Sequence, residues 1–236
     1  MKLNKGYILR KGNSDDEEEV QIGFQTQQIH LPYFESTQTS RCIKAYLDEG
    51  IKEAKYYRNW IQSVESLSEG DLVYLSVNSY GGYLDGAIAI INAMRSTDAN
   101  VHVCIDGVAA SAASLIALAA PSVSVSEYAS MMIHAATFGA FGKQSDVISH
   151  ASFVDKQVKG LMQDIYKDFL TEDEFKEVIV GREIWLDSSD IVQRLERRNE
   201  IQQKRSAEAQ IELQSAIEDT EQEEKPKATR RRKTEN

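Results

Sequence analysis

The chain has 236 residues, 42% of them hydrophobic and 27% charged, a composition that supports a packed core and excludes fibrous and fully disordered classes. Its 27 lysines and arginines against 37 aspartates and glutamates give a net charge of -10, which repels nucleic acid and anionic lipid, so any polyanion contact has to be local. Two cysteines, Cys42 and Cys104, are too few for a disulfide scaffold; without a secretory signal pattern or a long apolar run, the expectation is a soluble protein of a reducing, cytoplasmic compartment, with no membrane contact.

Residues 1–20 are polar and carry the acidic run from Asp15 to Glu19, which predicts a flexible arm. Val20 to Phe24 and Gln28 to Phe34 alternate in the manner of short strands. From Ser40 to Leu67 the apolar residues Ile43, Leu47, Ile51, Ala54, Tyr57, Ile61 and Val64 recur every three or four positions, which predicts a helix ended by Gly70. A strand over Leu72 to Val77 follows, then the loop Asn78-Ser79-Tyr80-Gly81-Gly82, whose paired glycines permit positive φ. A helix is expected over Leu84 to Met94 and a strand over Val101 to Ile105. Asp106 to Val108 reads as a turn into the small-residue run Ala109 to Ala120, a buried helix stopped by Pro121. Brief strands at Ser122 to Ser126 and Ser130 to His134 precede a glycine-bearing excursion at Gly139 to Gly142. Helices are then expected over Ser145 to Leu170, Glu172 to Val180 and Trp185 to Leu195. Strands alternating with helices indicate an α/β protein with a mostly parallel sheet. Beyond about Asn199 acids and bases are balanced and aromatics are absent, which predicts a charged, disordered tail with a weak helical stripe to Ile217. The implied division is an arm over 1–20, a body over 21–198 and a tail over 199–236, the basic end of the tail being solvated rather than bound to nucleic acid.

Three features point to chemistry. Ser111 stands at a turn-to-helix junction, where unpaired N–H groups and the positive end of the helix dipole favour a developing oxyanion; the alternative is a plain helix cap. His134 ends an apolar strand, as a general base or as a satisfied core histidine. The Gly81-Gly82 loop offers backbone N–H groups to a carbonyl oxygen, and it lacks the spacing of a dinucleotide loop or a P-loop, so nucleotide binding has no support. His102 and Cys104, two residues apart, would make half of a metal site only with further ligands, so neither a metal nor a cofactor is expected.

Asn78-Ser79-Tyr80-Gly81-Gly82, Gly107-Val108-Ala109-Ala110-Ser111, Met132-Ile133-His134 and the long helix after Lys143 together resemble the proteolytic subunit of the Clp protease, in order and nearly in spacing, over roughly residues 25–198. The resemblance implies a crotonase-like α/β fold with a protruding strand-helix handle over Gly139 to Leu170. It implies a serine endopeptidase in which Ser111 is the nucleophile, His134 the base, and Gly82 and Ala112 supply the oxyanion-hole N–H groups. Glu183, in Glu183-Ile184-Trp185-Leu186, stands where the family has its aspartate, with Asp187 as a substitute acid. The assembly implied is a homo-oligomer of heptameric rings paired face to face around a chamber. The implied partners are polypeptide substrates and an ATP-driven unfoldase of the AAA+ class. Three departures qualify the likeness. Tyr80 replaces the family's loop proline, Ile191 to Leu195 replaces its Tyr-Gly-Leu-Val-Asp segment, and an acidic run replaces its axial loop. Other readings share the fold: a capsid-maturation protease of bacteriophage type, and a non-catalytic ring or scaffold subunit, which the glutamate at 183 favours. A crotonase-type acyl-CoA enzyme would need no serine–histidine pair.

Overall fold

The computed structural model describes residues 33–37, 40–137, 139 and 141–223; the expected arm over 1–20 and the strands before Tyr33 lie outside them. In chain order the elements are β1 (Tyr33–Thr37), β2 (Arg41–Leu47), a short 3-10 turn (Ala54–Tyr57), α1 (Arg58–Glu65), β3 (Leu72–Ser79), α2 (Leu84–Ser96), β4 (Asn100–Ala110), α3 (Ala112–Ala119), β5 (Ser122–Val125), β6 (Ser130–Ile133), α4 (Gln144–Tyr166), α5 (Glu172–Ile179), β7 (Ile184–Asp187) and α6 (Ser188–Glu223).

The strands form one sheet in the order β1-β2-β3-β4-β6-β7, with β5 also on β4. The pairs β2–β3, β3–β4, β4–β5 and β4–β6 are parallel, while β1–β2 and β6–β7 are antiparallel. One edge of β4 serves two strands in succession, β5 along His102 to Ile105 and β6 along Val108 to Ala110. Ile43, Ala45 and Leu47 of β2, Val73, Leu75 and Val77 of β3, and Val101, Val103 and Ile105 of β4 point to one face, and are buried against Trp60 and Val64 of α1, Ile90 and Ile91 of α2 and the small side chains of α3. Each large aliphatic side chain removed from water there contributes about 1.5–3 kcal/mol. Among the described residues no helix is long and apolar enough to cross a membrane.

Three sequence expectations are corrected. Residues 40–47 are a strand, not the start of a helix: Ile43, Ala45 and Leu47 are buried at every second position, and the spacing of Ile43, Leu47 and Ile51 satisfies both periods, so the parallel pairing with β3 decides. Asp106-Gly107-Val108 continues β4 instead of turning. The side-chain carbonyl of Asn78 accepts the Val108 N–H at 3.1 Å and lies 2.3 Å from where a Gly107 Cβ would be, so glycine here admits a neighbouring side chain. Trp185 and Leu186 lie in β7, where β6 supplies an antiparallel partner that no local pattern reveals. Of the handle expected over Gly139 to Leu170, α4 supplies the helix.

At the far end α6 is unbroken through residue 198, where a domain boundary was expected, and extends to Glu223. Its first turns bury Ile191, Leu195 and Arg198 against the body. The exposed stretch over 202–212 is rich in Gln, Lys, Arg, Glu and Ala, which lose little side-chain freedom in a helix.

Candidate active site

Ser111 follows the last residue of β4 and precedes the first of α3, at the carboxyl end of the parallel strands, where open α/β sheets place their sites. Its backbone sits at φ 55°, ψ -124°, a region that a side chain occupies at a cost of about 1–3 kcal/mol. Hydrogen bonds hold it there. The Ser111 N–H donates to the carbonyl of Met132 at 2.8 Å, and the Ser111 carbonyl accepts from Ser114 N–H at 3.0 Å and Ser114 Oγ at 2.6 Å. Ser114 Oγ also lies 2.8 Å from the hydroxyl of Tyr166, both residues being fully buried. The single Ser114 proton goes to a carbonyl that only accepts, so Tyr166 donates to Ser114. Burial pushes the Tyr166 phenol far above its ordinary range, which keeps it a donor.

Ser111 makes no side-chain cap bond to α3. Its Oγ lies instead 2.7 Å from Nε2 of His134, one residue beyond β6. The parallel pairing of Val108, Ala109 and Ala110 with Ser130, Met131 and Met132 sets that distance. It sets the end of β4 beside the end of β6, one residue apart in register, so that the residues that follow them come within hydrogen-bond reach.

The glycine loop is pressed into the same corner. At Gly81, φ 93°, an added Cβ would lie 2.6 Å from the Ala110 carbonyl oxygen and 2.8 Å from Ser111 Cβ; at Gly82, φ 150°, it would lie 2.3 Å from the Ile51 carbonyl oxygen. Neither position has room for a side chain. The loop is pinned by Ile51 N–H donating to the Gly81 carbonyl at 2.9 Å and Tyr83 N–H donating to the Ile51 carbonyl at 3.0 Å, while Gly81 N–H donates to Ser79 Oγ at 3.2 Å. None of the turn, loop or cap hydrogen bonds among the described residues uses the N–H of Gly82 or of Ala112. Ala112 opens α3, so its N–H is one of the helix's orphan donors.

Glu183 and His134 line a common cavity of about 390 Å³ with Ala135, Ala136, Thr137 and Gly181. Within it the Glu183 carboxylate accepts from the Trp185 indole N–H at 3.4 Å, and among the described residues no hydrogen bond joins it to His134. Asp187, the substitute acid, accepts from Asp190 N–H at 2.9 Å and Ser189 Oγ at 2.7 Å. These contacts at the start of α6 hold its carboxyl below the usual range, in the manner of a helix cap.

The other histidines lie elsewhere. His102 is held between the hydroxyls of Ser122 at 2.8 Å and Ser124 at 2.9 Å, His150 is exposed on α4, and His30 lies outside the described residues. Among the described residues no three His, Cys, Asp or Glu side chains gather as metal ligands. Sequence reasoning missed Ser114, Tyr166 and the close approach of Gly81. Ser114 looked like one more small residue of a buried helix, and Tyr166 lies 52 positions away from it.

Residues 39–194 match the family described as Clp protease. No curated protein matches the chain.

Proposed function

The chain belongs to the Clp protease family, and on that premise we propose that it is a serine endopeptidase that cleaves polypeptides through an acyl-enzyme. The observation that carries the reading is the 2.7 Å contact between Ser111 Oγ and His134 Nε2 at a serine held in a left-handed backbone conformation. A hydroxyl that donates to Nε2 requires a neutral imidazole protonated at Nδ1, the tautomer of a general base. In the proposed sequence Ser111 Oγ attacks the scissile carbonyl as its proton passes to His134. The N–H groups of Gly82 and Ala112 stabilise the oxyanion, and the imidazolium protonates the leaving amine. Water then repeats the steps against the acyl-serine. Glu183 orients Nδ1–H after a side-chain rotation away from Trp185, within the cavity that it shares with His134.

The assembly that goes with this reading is a ring-forming homo-oligomer with an internal chamber, acting on unfolded chains delivered by an ATP-driven unfoldase in a cytoplasmic compartment. Apolar exposure supports a partner copy: Phe141, Ile148 and Phe153 stand in solvent before and along the first half of α4, which buries nothing. A native mass measurement reads the subunit count directly.

The testing experiment is fluorophosphonate labelling of the intact chain. Wild type is expected to be modified at Ser111, Ser111→Ala to be inert, and His134→Ala to react about 10²–10⁴ times more slowly. The direction of the Glu183 carboxylate toward Trp185 favours a second reading, a ring or scaffold subunit without hydrolytic activity. An unreactive wild type establishes that one.

A further inference from the structure

On the side of the body away from Ser111, the C-terminal ends of α2, α3 and α4 meet α6 around a cavity of about 580 Å³. Four cationic side chains line it, Arg95, Lys167, Arg198 and Arg205, against two carboxylates, Asp164 and Asp168. Both carboxylates are engaged: Asp164 pairs with Arg95 at 2.8 Å, and Asp168 takes a two-pronged grip from Arg205, with one prong at 2.9 Å. Among the described residues, Arg198 and Lys167 make no ion pair of their own with either carboxylate.

Arg198 is only 5% exposed, and burying a guanidinium that no carboxylate pairs directly is costly. Desolvation accordingly draws it below the ordinary arginine range, with Asp168 acting in the opposite direction. Nη1 donates to the Leu118 carbonyl at 2.9 Å, capping α3. Nε makes no hydrogen bond among the described residues, and none reaches Nη2. The unused side of the fork, Nε with Nη2, is the edge that takes two oxygens of one carboxylate. Met94, Val101, Leu118 and Ile165 supply an apolar part of the wall, and Thr97 and Gln202 add further polar lining. A net-positive cavity with an apolar part to its wall is a local inversion in a chain of charge -10, and it suits a ligand with one anionic end and an apolar body.

We propose that this cavity binds a small organic carboxylate, its carboxyl group on the free edge of Arg198 with Lys167 beside it, and its apolar body against Met94, Val101 and Ile165. The site does not depend on the peptidase reading, since it shares no residue with the Ser111 corner.

The test is calorimetric titration of the full-length chain with N-acetylleucine, N-acetylleucinamide and inorganic phosphate. Saturable binding of N-acetylleucine is expected, at least about tenfold tighter than that of the neutral amide, which keeps the body and lacks the charge. Arg198→Lys keeps a donor for Leu118 and loses the fork, and it is expected to weaken the carboxylate at least about tenfold. Lys167→Ala, at an exposed position whose loss leaves the fold intact, weakens it severalfold. Neither variant changes the rate of Ser111 labelling. Equal affinity for acid and amide overturns the proposal, as does unchanged affinity in both variants, or no saturable binding by roughly 10 mM. Phosphate binding as tightly as the carboxylate overturns the assignment of ligand class.

Discussion

The buried chain Tyr166–Ser114–Ser111 yields a prediction with a definite order. Tyr166→Phe removes one neutral hydrogen bond, at 2.8 Å, and leaves Ser114 still donating to the Ser111 carbonyl at 2.6 Å; the expected cost is about 1 kcal/mol. Ser114→Ala removes both bonds and strands a phenolic hydroxyl in a fully buried position, so the loss of a bond adds to the desolvation of an orphan, roughly 2–4 kcal/mol in all. The double variant deletes the orphan, and is expected to be about 1 kcal/mol more stable than Ser114→Ala alone. Urea midpoints at neutral pH give the three differences. Fluorophosphonate labelling reads the functional side: Ser114→Ala slows it by loosening the serine's left-handed backbone, and Tyr166→Phe slows it less. A Tyr166→Phe cost equal to that of Ser114→Ala, or a double variant that simply sums the two, would refute the assigned donor direction and the view that this chain holds the serine in place.

Further predictions concern acid stability, the glycine loop and the third residue. The Arg194 guanidinium, with the Thr171 N–H, holds the Glu174 carboxyl at about 2 against an ordinary 4.5. Since the folded value is depressed, the stability it supplies is complete above the unfolded value and is lost as pH falls from about 4.5 toward 2. Over that window wild type should lose more of its urea midpoint than Glu174→Gln, and parallel curves would contradict the pairing. Gly81→Ala places a Cβ 2.8 Å from Ser111 Cβ and should slow labelling about 10²-fold or more. Gly70→Ala is the control: φ is 91° there too, yet nothing lies within 4 Å of the added atom, so only backbone strain of about 1 kcal/mol is expected and labelling stays unchanged. Glu183→Gln should slow labelling at least about tenfold if the carboxylate orients His134; an unchanged rate removes it from the triad.

The sequence by itself was enough to place Ser111 near the start of a buried helix, His134 at the end of an apolar strand and two glycines in a loop that admits positive φ. Each of these rests on chain-local chemistry: the small-residue run, the strand pattern, the absence of a Cβ. It also determined most helices and central strands, because Leu72 to Val77 and Leu84 to Met94 carry a single clear period.

What only the tertiary structure decided is who meets whom. Ile43 and Leu47 satisfy a helical spacing, and the parallel partner β3 makes them strand residues. Trp185 and Leu186 pair with Met132 and Met131 across 53 and 55 positions, which no window along the chain registers. The 2.7 Å between Ser111 and His134 follows from the register of β4 on β6, and the direction of Glu183 toward Trp185 from the placement of β7. Ser114, Tyr166 and Arg198 carry no motif at all. Their roles come from burial, which makes a hydroxyl or a guanidinium costly unless another element of the fold supplies its partner.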